Sequence, residues 1–340
     1  MKNLILPTVM GFMTLFLSCE QASIEAVPNK TAVSIQQEPT TPGVWTRKAD
    51  YPVKKTEDPI GFTINDKIYI GFATGSADFW QYDPQTNVWK KMADQGLKNN
   101  GRIAFSLNGY GYMGGGMSFG FSSPDFYRYD PAANKWENAA DFPGETGSDG
   151  IGFSIGIKGY VLATNNENGK TPFWAYDPVT DSWQKKAGFP ISGIEHAVGF
   201  SIGSKGYIGT GFGPTNQGYK VIKSFWEYDS LTDKWTQKAD FGGEARWLAS
   251  GFAIGKKGYI GIGNTNGNGD GHHGGPGCDF WEYNPLTDSW SAKASFKGGI
   301  RNLAVGVALG GKGYLGLGTF RTPENQFGTK TDFWEFDPSK

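Results

Sequence analysis

The chain has no excess of charge and very little cysteine. Its 32 basic and 33 acidic residues leave a net charge of −1, and no polybasic run is present. This balance argues against nucleic acid as a partner. Two cysteines cannot build a disulfide framework, so packing must hold the fold together. The 51 glycines argue against long helices, and helical periodicity is absent from the region after the first 42 residues.

A long apolar run occurs only at the start of the chain. In residues 1–18 a lysine precedes an apolar stretch that is too short for a membrane span and is typical of a signal peptide. Residues 15–19, Leu-Phe-Leu-Ser-Cys, resemble a bacterial lipoprotein cleavage box, which predicts a lipid on Cys19. Residues 19–42 then form the lipidated cysteine and a flexible tether, and Cys278 is left alone. We expect a lipid-anchored protein of the bacterial cell envelope, in the periplasm or on the outer-membrane surface.

An eleven-residue phrase that begins with Phe and ends with Trp occurs five times. A sixth copy begins at Phe333, and its tryptophan is found near the other end of the chain as Trp45. The five intact copies are residues 79–89, 126–136, 173–183, 225–235 and 280–290. A repeat array whose first and last units complete each other predicts a closed ring.

Each repeat predicts four short strands, which we name a to d. The repeat period of 44 to 55 residues lies in the range of solenoids and propellers. Aromatic and β-branched runs bounded by Gly, Pro, Asn and Asp are typical of strands, and Asp-Pro or Asn-Pro joins c to d as a turn. We therefore predict an all-β, six-bladed β-propeller of four-stranded antiparallel blades. Residues 43–340 form this one domain, and an N-terminal strand joins the C-terminal blade.

A tyrosine and a tryptophan seven positions apart recur in the phrase and resemble the Kelch family of β-propellers. The pairs are Tyr82/Trp89, Tyr129/Trp136, Tyr176/Trp183, Tyr228/Trp235 and Tyr283/Trp290. The resemblance covers about residues 43–338 and implies six blades. The repeated aromatic residues are expected to pack between blades. Propellers include enzymes, glycan binders and scaffolds, so the resemblance does not select a function.

The length of the repeats varies almost only between strands b and c. From the strand b Tyr to the strand c Phe the separations are 10, 14, 13, 18, 21 and 19 residues in blades one to six. In an antiparallel meander the b–c loops share one face of the ring with the d–a links, and the short a–b and c–d turns share the other. Variable loops on a rigid scaffold usually carry function. We therefore expect the ligand at the b–c face.

Four of the six arginines are expected at that face or along the channel lining. Arg246 and Arg301 hold equivalent places, six residues before the aligned strand a positions Phe252 and Val307. Arginine binds carboxylates in a bidentate manner. The sequence thus predicts a ligand-binding group made of Arg246, Arg301, Arg321, Arg102, His196 and Trp247.

The blade-five loop, residues 264–278, is rich in Gly and Asn and contains two of the three histidines. Asp270, His272 and His273 are weak candidates for calcium or a transition metal. One charged oxygen ligand and two adjacent histidines favour a plain glycine-rich loop instead. No other cofactor is expected.

These observations predict an exported, membrane-anchored monomer that binds a glycan or an envelope protein. The alternative is a sugar-acid mutarotase, because the sialic-acid mutarotases are also six-bladed periplasmic Kelch proteins with Arg and Glu at the mouth of the ring. That resemblance implies Glu195 or Glu244 as general base and Arg246 or Arg301 as carboxylate clamp. Galactose oxidase also has Kelch repeats, but it has seven blades. Its copper site needs a Tyr-Cys crosslink, and the sequence places no suitable tyrosine beside Cys278.

Overall fold

The structure of the chain is a computed structural model that describes residues 42–96, 102–118, 121–145, 150–163, 170–216, 218–265, 277–321 and 327–340. Within these ranges the chain forms strands, turns and loops. In the same ranges, no helix has the length and apolar character needed to cross a membrane. The predicted signal segment, Cys19 and the tether as far as residue 41 lie outside the described residues.

Six four-stranded antiparallel sheets form a β-propeller, which confirms the predicted fold class. In each blade the strands lie in the order a, b, c, d. Strand a of every blade packs against strand a of the next, and blade six packs against blade one, so the ring is closed.

The strand bounds repeat closely from blade to blade. Blade one contains Ile60–Ile64, Lys67–Gly71, Phe79–Asp83 and Val88–Lys91; blade two Ile103–Leu107, Tyr110–Gly114, Phe126–Asp130 and Lys135–Ala139; blade three Ile151–Ile155, Lys158–Leu162, Thr171–Asp177 and Ser182–Phe189. Blade four contains Val198–Ile202, Lys205–Gly209, Phe225–Asp229 and Lys234–Lys238; blade five Ser250–Ile254, Lys257–Gly261, Phe280–Asn284 and Ser289–Lys293. Blade six contains Val305–Leu309, Lys312–Gly316 and Phe333–Asp337 as strands a to c, with Val44–Arg47 as strand d.

Blade six is assembled from both ends of the repeat region. Its strand d pairs with strand c from Val44 opposite Asp337 to Arg47 opposite Trp334. The buried Trp45 donates its indole N–H to the Ala294 carbonyl at 2.9 Å. The tryptophan of each other blade makes the same bond to an alanine carbonyl of the preceding repeat. The split blade therefore reproduces the contacts of the continuous ones.

The repeated aromatic residues form the interfaces between blades, as predicted. The strand c Phe and Tyr of the phrase are buried, and strand a contributes a further aromatic ring to most interfaces. Strand b supplies the space: a Cβ on Gly159 would lie 2.3 Å from the Phe105 ring of the preceding blade. Glycine at this position lets the ring lie flat against the next sheet, since packed interiors leave no spare volume.

Within the described residues, three b–c loops contain small β-hairpins. They belong to blades two, four and six, and their strands are Met117–Ser118 with Phe121–Ser122, Phe212–Thr215 with Gly218–Val221, and Thr319–Arg321 with Phe327–Thr329. These hairpins stand on alternate blades around one end of the ring.

Candidate functional site

The d–a links and b–c loops are joined at one face, as the meander predicts. Glu195, Trp247 and Asn302 hold the same place in the links of blades four, five and six, and each forms a backbone bridge to the b–c loop of its own blade. Bonds also run between blades. The Gly211 amide of blade four donates to the Arg246 carbonyl at 2.7 Å, and the Gly263 amide of blade five donates to the Arg301 carbonyl at 3.0 Å.

Arg246 is enclosed in blade five and is 0% exposed. Its Nη2 donates to Asp279 Oδ2 at 2.6 Å, its Nη1 to the Ile262 carbonyl at 3.0 Å and its Nε to the Glu244 carbonyl at 3.1 Å. The guanidinium lies over the Phe241 ring, with its carbon 4.7 Å from the centroid. Its charge and all three of its nitrogens are thus used within the protein.

Arg301 repeats this arrangement in blade six and is also 0% exposed. Its Nη2 donates to Asp332 Oδ2 at 2.8 Å and to the Gly298 carbonyl, and its Nη1 donates to the Leu317 carbonyl at 3.1 Å. Burial lowers the pKa of Arg301, and the Asp332 carboxylate opposes that shift. Burial acts to raise the pKa of Asp332, but the bond and charge of Arg301 outweigh it and leave that pKa below its usual value.

Each aspartate also accepts a tryptophan indole N–H, so the unit is an Arg–Asp–Trp triad. Trp281 donates to Asp279 at 2.7 Å and Trp334 to Asp332 at 2.5 Å. The two triads lie inside separate blades. The structure gives Arg246 and Arg301 a packing role, and the ligand role that we expected for them stays a prediction.

Arg102 is the buried arginine with two unused donors among the described residues, whereas Arg301 has one, its Nε. It is enclosed where blades one and two meet, with its carbon 5.2 Å from the Phe72 centroid and its Nη1 3.2 Å from Met113 Sδ. Its Nε and Nη2 have no acceptor among the described residues. Burial lowers its pKa to about 10, with weak opposition from Tyr127 and Asp125, so it is protonated at neutral pH. The position suits an anionic group at this end of the ring.

A chain of aromatic side chains crosses from blade five to the blade-four hairpin. The His196 ring lies edge-on to Trp247 with centroids 5.2 Å apart. Trp247 lies 5.7 Å from Phe212, and Phe212 lies 5.7 Å from Tyr219. His196 and Trp247 are half-buried and Tyr219 is exposed. The structure thus brings the predicted residues His196 and Trp247 together and joins them to an accessible aromatic surface.

The two candidate general bases lie in different environments. Glu195 is half-buried and exchanges backbone hydrogen bonds with Phe212, both at 2.8 Å. Glu244 is exposed, and its carbonyl accepts the Arg246 Nε donor. The arginines predicted to act with them are enclosed, so the described side chains do not assemble an open Arg–Glu pocket from these four residues.

Each of the three hairpins carries an exposed aromatic side chain on its second strand. Phe121 is 77% exposed, Tyr219 49% and Phe327 64%. The sequence analysis missed them because they belong to loops outside the repeated phrase. The sequence feature that could have identified them is an aromatic residue in a long loop that is otherwise rich in Gly, Ser, Thr and Asn. Such a loop has no core to fill, so an aromatic residue there indicates a surface role.

Several predicted positions lie at or beyond the edge of the described residues. Asp270, His272 and His273 fall in the undescribed range 266–276, and the side chain of Arg321 is likewise not described. The remaining described residues contain no group of three or more metal-ligating side chains. Cys278 is buried and disulfide-bonded, which corrects the expectation that it stands alone.

Comparison with known proteins agrees with the fold. No family model matches the chain. A stretch of 77 residues is 32% identical to the N-acetylneuraminate epimerase of Yersinia enterocolitica serotype O:8 / biotype 1B, and it covers 19% of this chain and 20% of that protein. The chain therefore matches about a fifth of the length of this curated relative.

A solved structure, titled "Structure of YjhT", resembles the chain over almost its whole length. The TM-score is 0.68 at 18% sequence identity, and the match covers 84% of this chain and 96% of the other. At this identity the likeness shows the fold alone. The chain is therefore a six-bladed β-propeller with a short stretch of similarity to an N-acetylneuraminate epimerase.

Proposed function

We propose that this Kelch-like propeller binds a glycan at its b–c loop face. The observation that carries the proposal is the set of exposed aromatic side chains on the hairpins of blades two, four and six. Exposed aromatic residues on loops of a rigid scaffold are typical of binding surfaces. The half-buried pair His196 and Trp247 extends one of these surfaces towards the d–a links.

The distribution of these side chains favours a glycan over an envelope protein. A stable protein interface has a contiguous apolar core, whereas Phe121, Tyr219 and Phe327 stand on separate blades. Around Tyr219 the exposed neighbours include the cross-strand Pro214 and the polar or small residues Thr215, Asn216 and Gly218. Isolated aromatic platforms between polar groups suit sugar rings, which offer apolar C–H faces and hydroxyl edges.

The test is a thermal-shift screen of residues 43–340 against neutral and acidic oligosaccharides, with and without calcium. Oligosaccharides that stabilise the protein should lose their effect when Phe121, Tyr219 and Phe327 are all changed to Ser. The matched control changes three exposed apolar residues of the c–d turns, Val179, Leu231 and Leu286, to Ser. If the control removes the effect and the hairpin variant keeps it, the ligand binds the other face.

A second candidate is a sugar-acid mutarotase, which the stretch shared with the Yersinia protein favours. In this case Arg102, with two donors that lack acceptors among the described residues, would bind the sugar carboxylate. Glu195 would act as general base. Proton NMR of freshly dissolved N-acetylneuraminic acid tests the activity. If the parent protein accelerates the approach to the anomeric equilibrium and both Arg102→Gln and Glu195→Gln lose this acceleration, the activity is supported. If the rate with the parent protein equals the rate without protein, the activity is excluded.

We further propose that the protein is exported and anchored by a lipid on Cys19. The support is the apolar leader and the box at residues 15–19. Metabolic labelling with a palmitate analogue tests this: the parent should incorporate the label and Cys19→Ala should not, and labelling that persists in Cys19→Ala overturns the proposal.

A further inference from the structure

Blades four, five and six share a carboxylate at the centre of the sheet. The third residue of strand c is a glutamate that accepts the hydroxyl of the strand b tyrosine. The bonds are Tyr207 to Glu227 at 2.7 Å, Tyr259 to Glu282 at 2.6 Å and Tyr314 to Glu335 at 2.8 Å.

Lysines from strands b and d complete the surroundings of this carboxylate. In blade six, Glu335 lies 2.8 Å from Lys312 of strand b and 3.5 Å from Lys48, the residue directly after strand d. In blade five, Glu282 lies 4.0 Å from Lys257 of strand b and 3.2 Å from Lys293 of strand d. A tyrosine hydroxyl and two ammonium groups thus converge on one carboxylate.

Blade three keeps all three donors and lacks the carboxylate. Tyr160 and Lys158 occupy the strand b positions, and Lys186 occupies the strand d position. The residue opposite Tyr160 in strand c is Ala175, in the same register as the glutamates of the other blades. Tyr160 is 4% exposed, and its hydroxyl donates to no acceptor among the described residues, unlike the tyrosines of blades four to six.

A cleft of about 410 Å³ opens where the glutamate side chain would lie. Tyr160, Lys158, Lys186 and Ala175 line it, together with other residues of blades three and four. Ile155 at the end of strand a and Ile157 in the a–b turn of blade three form an apolar wall. Ser204 and Ser230 of blade four form a hydroxyl-bearing wall.

Among the described residues, each of the two lysines forms one ion pair. Lys158 Nζ lies 3.4 Å from Asp177, and Lys186 Nζ lies 3.5 Å from Asp233. At these distances the ammonium groups of Lys158 and Lys186 can turn towards the cleft. The cleft lies on the face of the ring that carries the short turns, opposite the b–c loops. The cleft volume is in the range of small-ligand pockets.

We propose that this cleft binds a small organic carboxylate. The ligand carboxylate takes the place of the glutamate found in blades four to six, accepting hydrogen bonds from Tyr160 and the two lysines. Its short apolar body rests on Ile155 and Ile157. The site is separate from the glycan surface proposed above, so either proposal can fail without the other.

Butyrate is the probe, and binding is followed by calorimetry and by NMR of the soluble ring. We expect saturable binding of butyrate, no binding of the uncharged butyramide, and at least tenfold weaker binding to Tyr160→Phe. Glucuronate, tested in parallel, distinguishes an aliphatic carboxylate from a sugar acid: tighter binding of butyrate supports the apolar wall, and tighter binding of glucuronate overturns that part.

The repeat itself supplies the decisive variant. Ala175→Glu introduces the side chain found in blades four to six, so it should raise the melting temperature and abolish butyrate binding. The matched control is Tyr259→Phe. It changes a tyrosine whose hydroxyl already donates to a glutamate, so it should leave butyrate binding unchanged. The proposal is overturned if no carboxylate binds saturably, or if Ala175→Glu folds and binds butyrate as tightly as the parent.

Discussion

Blade four has uncharged residues at the positions where blades five and six have the arginine and aspartate of a triad. At the place of Arg246 and Arg301 it has Ile194, and at the place of Asp279 and Asp332 it has Ser224. The phenylalanine beneath the arginine is kept as the buried Phe189, at 6.2 Å from Trp226. Two residues therefore change together between repeats while their surroundings stay the same.

The difference shows what the arginines contribute. In blade four the Trp226 indole N–H and the Ser224 hydroxyl have no partners among the described residues, whereas the aspartates of blades five and six satisfy both an indole and a guanidinium. A buried ion pair is often replaceable by apolar residues at little cost, but one ion without the other is strongly destabilising. The arginine and aspartate are consequently a unit, and their variants must be compared as pairs.

The largest effect is expected when one member of a triad is removed. Asp332→Ser leaves Arg301 buried without its counter-ion and should lower the free energy of unfolding by about 3–5 kcal/mol. The double variant Arg301→Ile with Asp332→Ser copies blade four and should recover most of the loss. Urea unfolding of the parent, both single variants and the double variant measures this coupling. Additive losses would show that the two residues do not act as a unit.

The reverse graft should produce a smaller effect of the same kind. Ile194→Arg alone places a guanidinium among apolar groups beside Ser224 and should destabilise the ring by several kcal/mol. Adding Ser224→Asp supplies the counter-ion and an acceptor for Trp226, so the double variant should melt close to the parent. A double variant no more stable than Ile194→Arg would mean that blade four differs in backbone as well as in side chains.

The triads also predict how stability depends on pH. The pKa of Asp332 is lower in the folded protein than its ordinary value of 3.8, so its contribution is present above that value and is lost as pH falls through the folded pKa. Stability of the parent should therefore decrease below about pH 4. Arg301→Ile with Asp332→Ser should lose less stability between pH 5 and pH 2. Parallel acid curves would assign the sensitivity to other carboxylates.

The smallest expected effect compares blade five with the split blade. Tyr283 donates its hydroxyl to Asp288 at 2.7 Å, whereas the equivalent residue of blade six is Phe336. Tyr283→Phe should cost about 1 kcal/mol, the usual net value of one hydrogen bond. Phe336→Tyr should bring no gain, because the position equivalent to Asp288 is Gly43, whose missing side chain leaves room for the Phe336 ring. Thermal unfolding of the two variants tests this.

The fold was predictable because propeller geometry is encoded in a repeated local pattern. The strand c phrase specifies the blade, and Trp45 specifies how the ring closes. The constant turn lengths specify which face carries the variable loops. The functional residues were less predictable. Arg246 and Arg301 were correctly recognised as equivalent positions, but spacing along the chain gave no indication that an aspartate more than thirty residues later encloses each guanidinium.

The six blades, the split closure and the core aromatic residues follow from the sequence, because each depends on a repeat period and on residue types with one local structural interpretation. Which polar groups are used inside the blades and which remain available depends instead on contacts between strands and between blades. These contacts enclose Arg246 and Arg301, leave an exposed aromatic side chain on each of the three hairpins, and leave Tyr160 facing a cleft because Ala175 lies across from it.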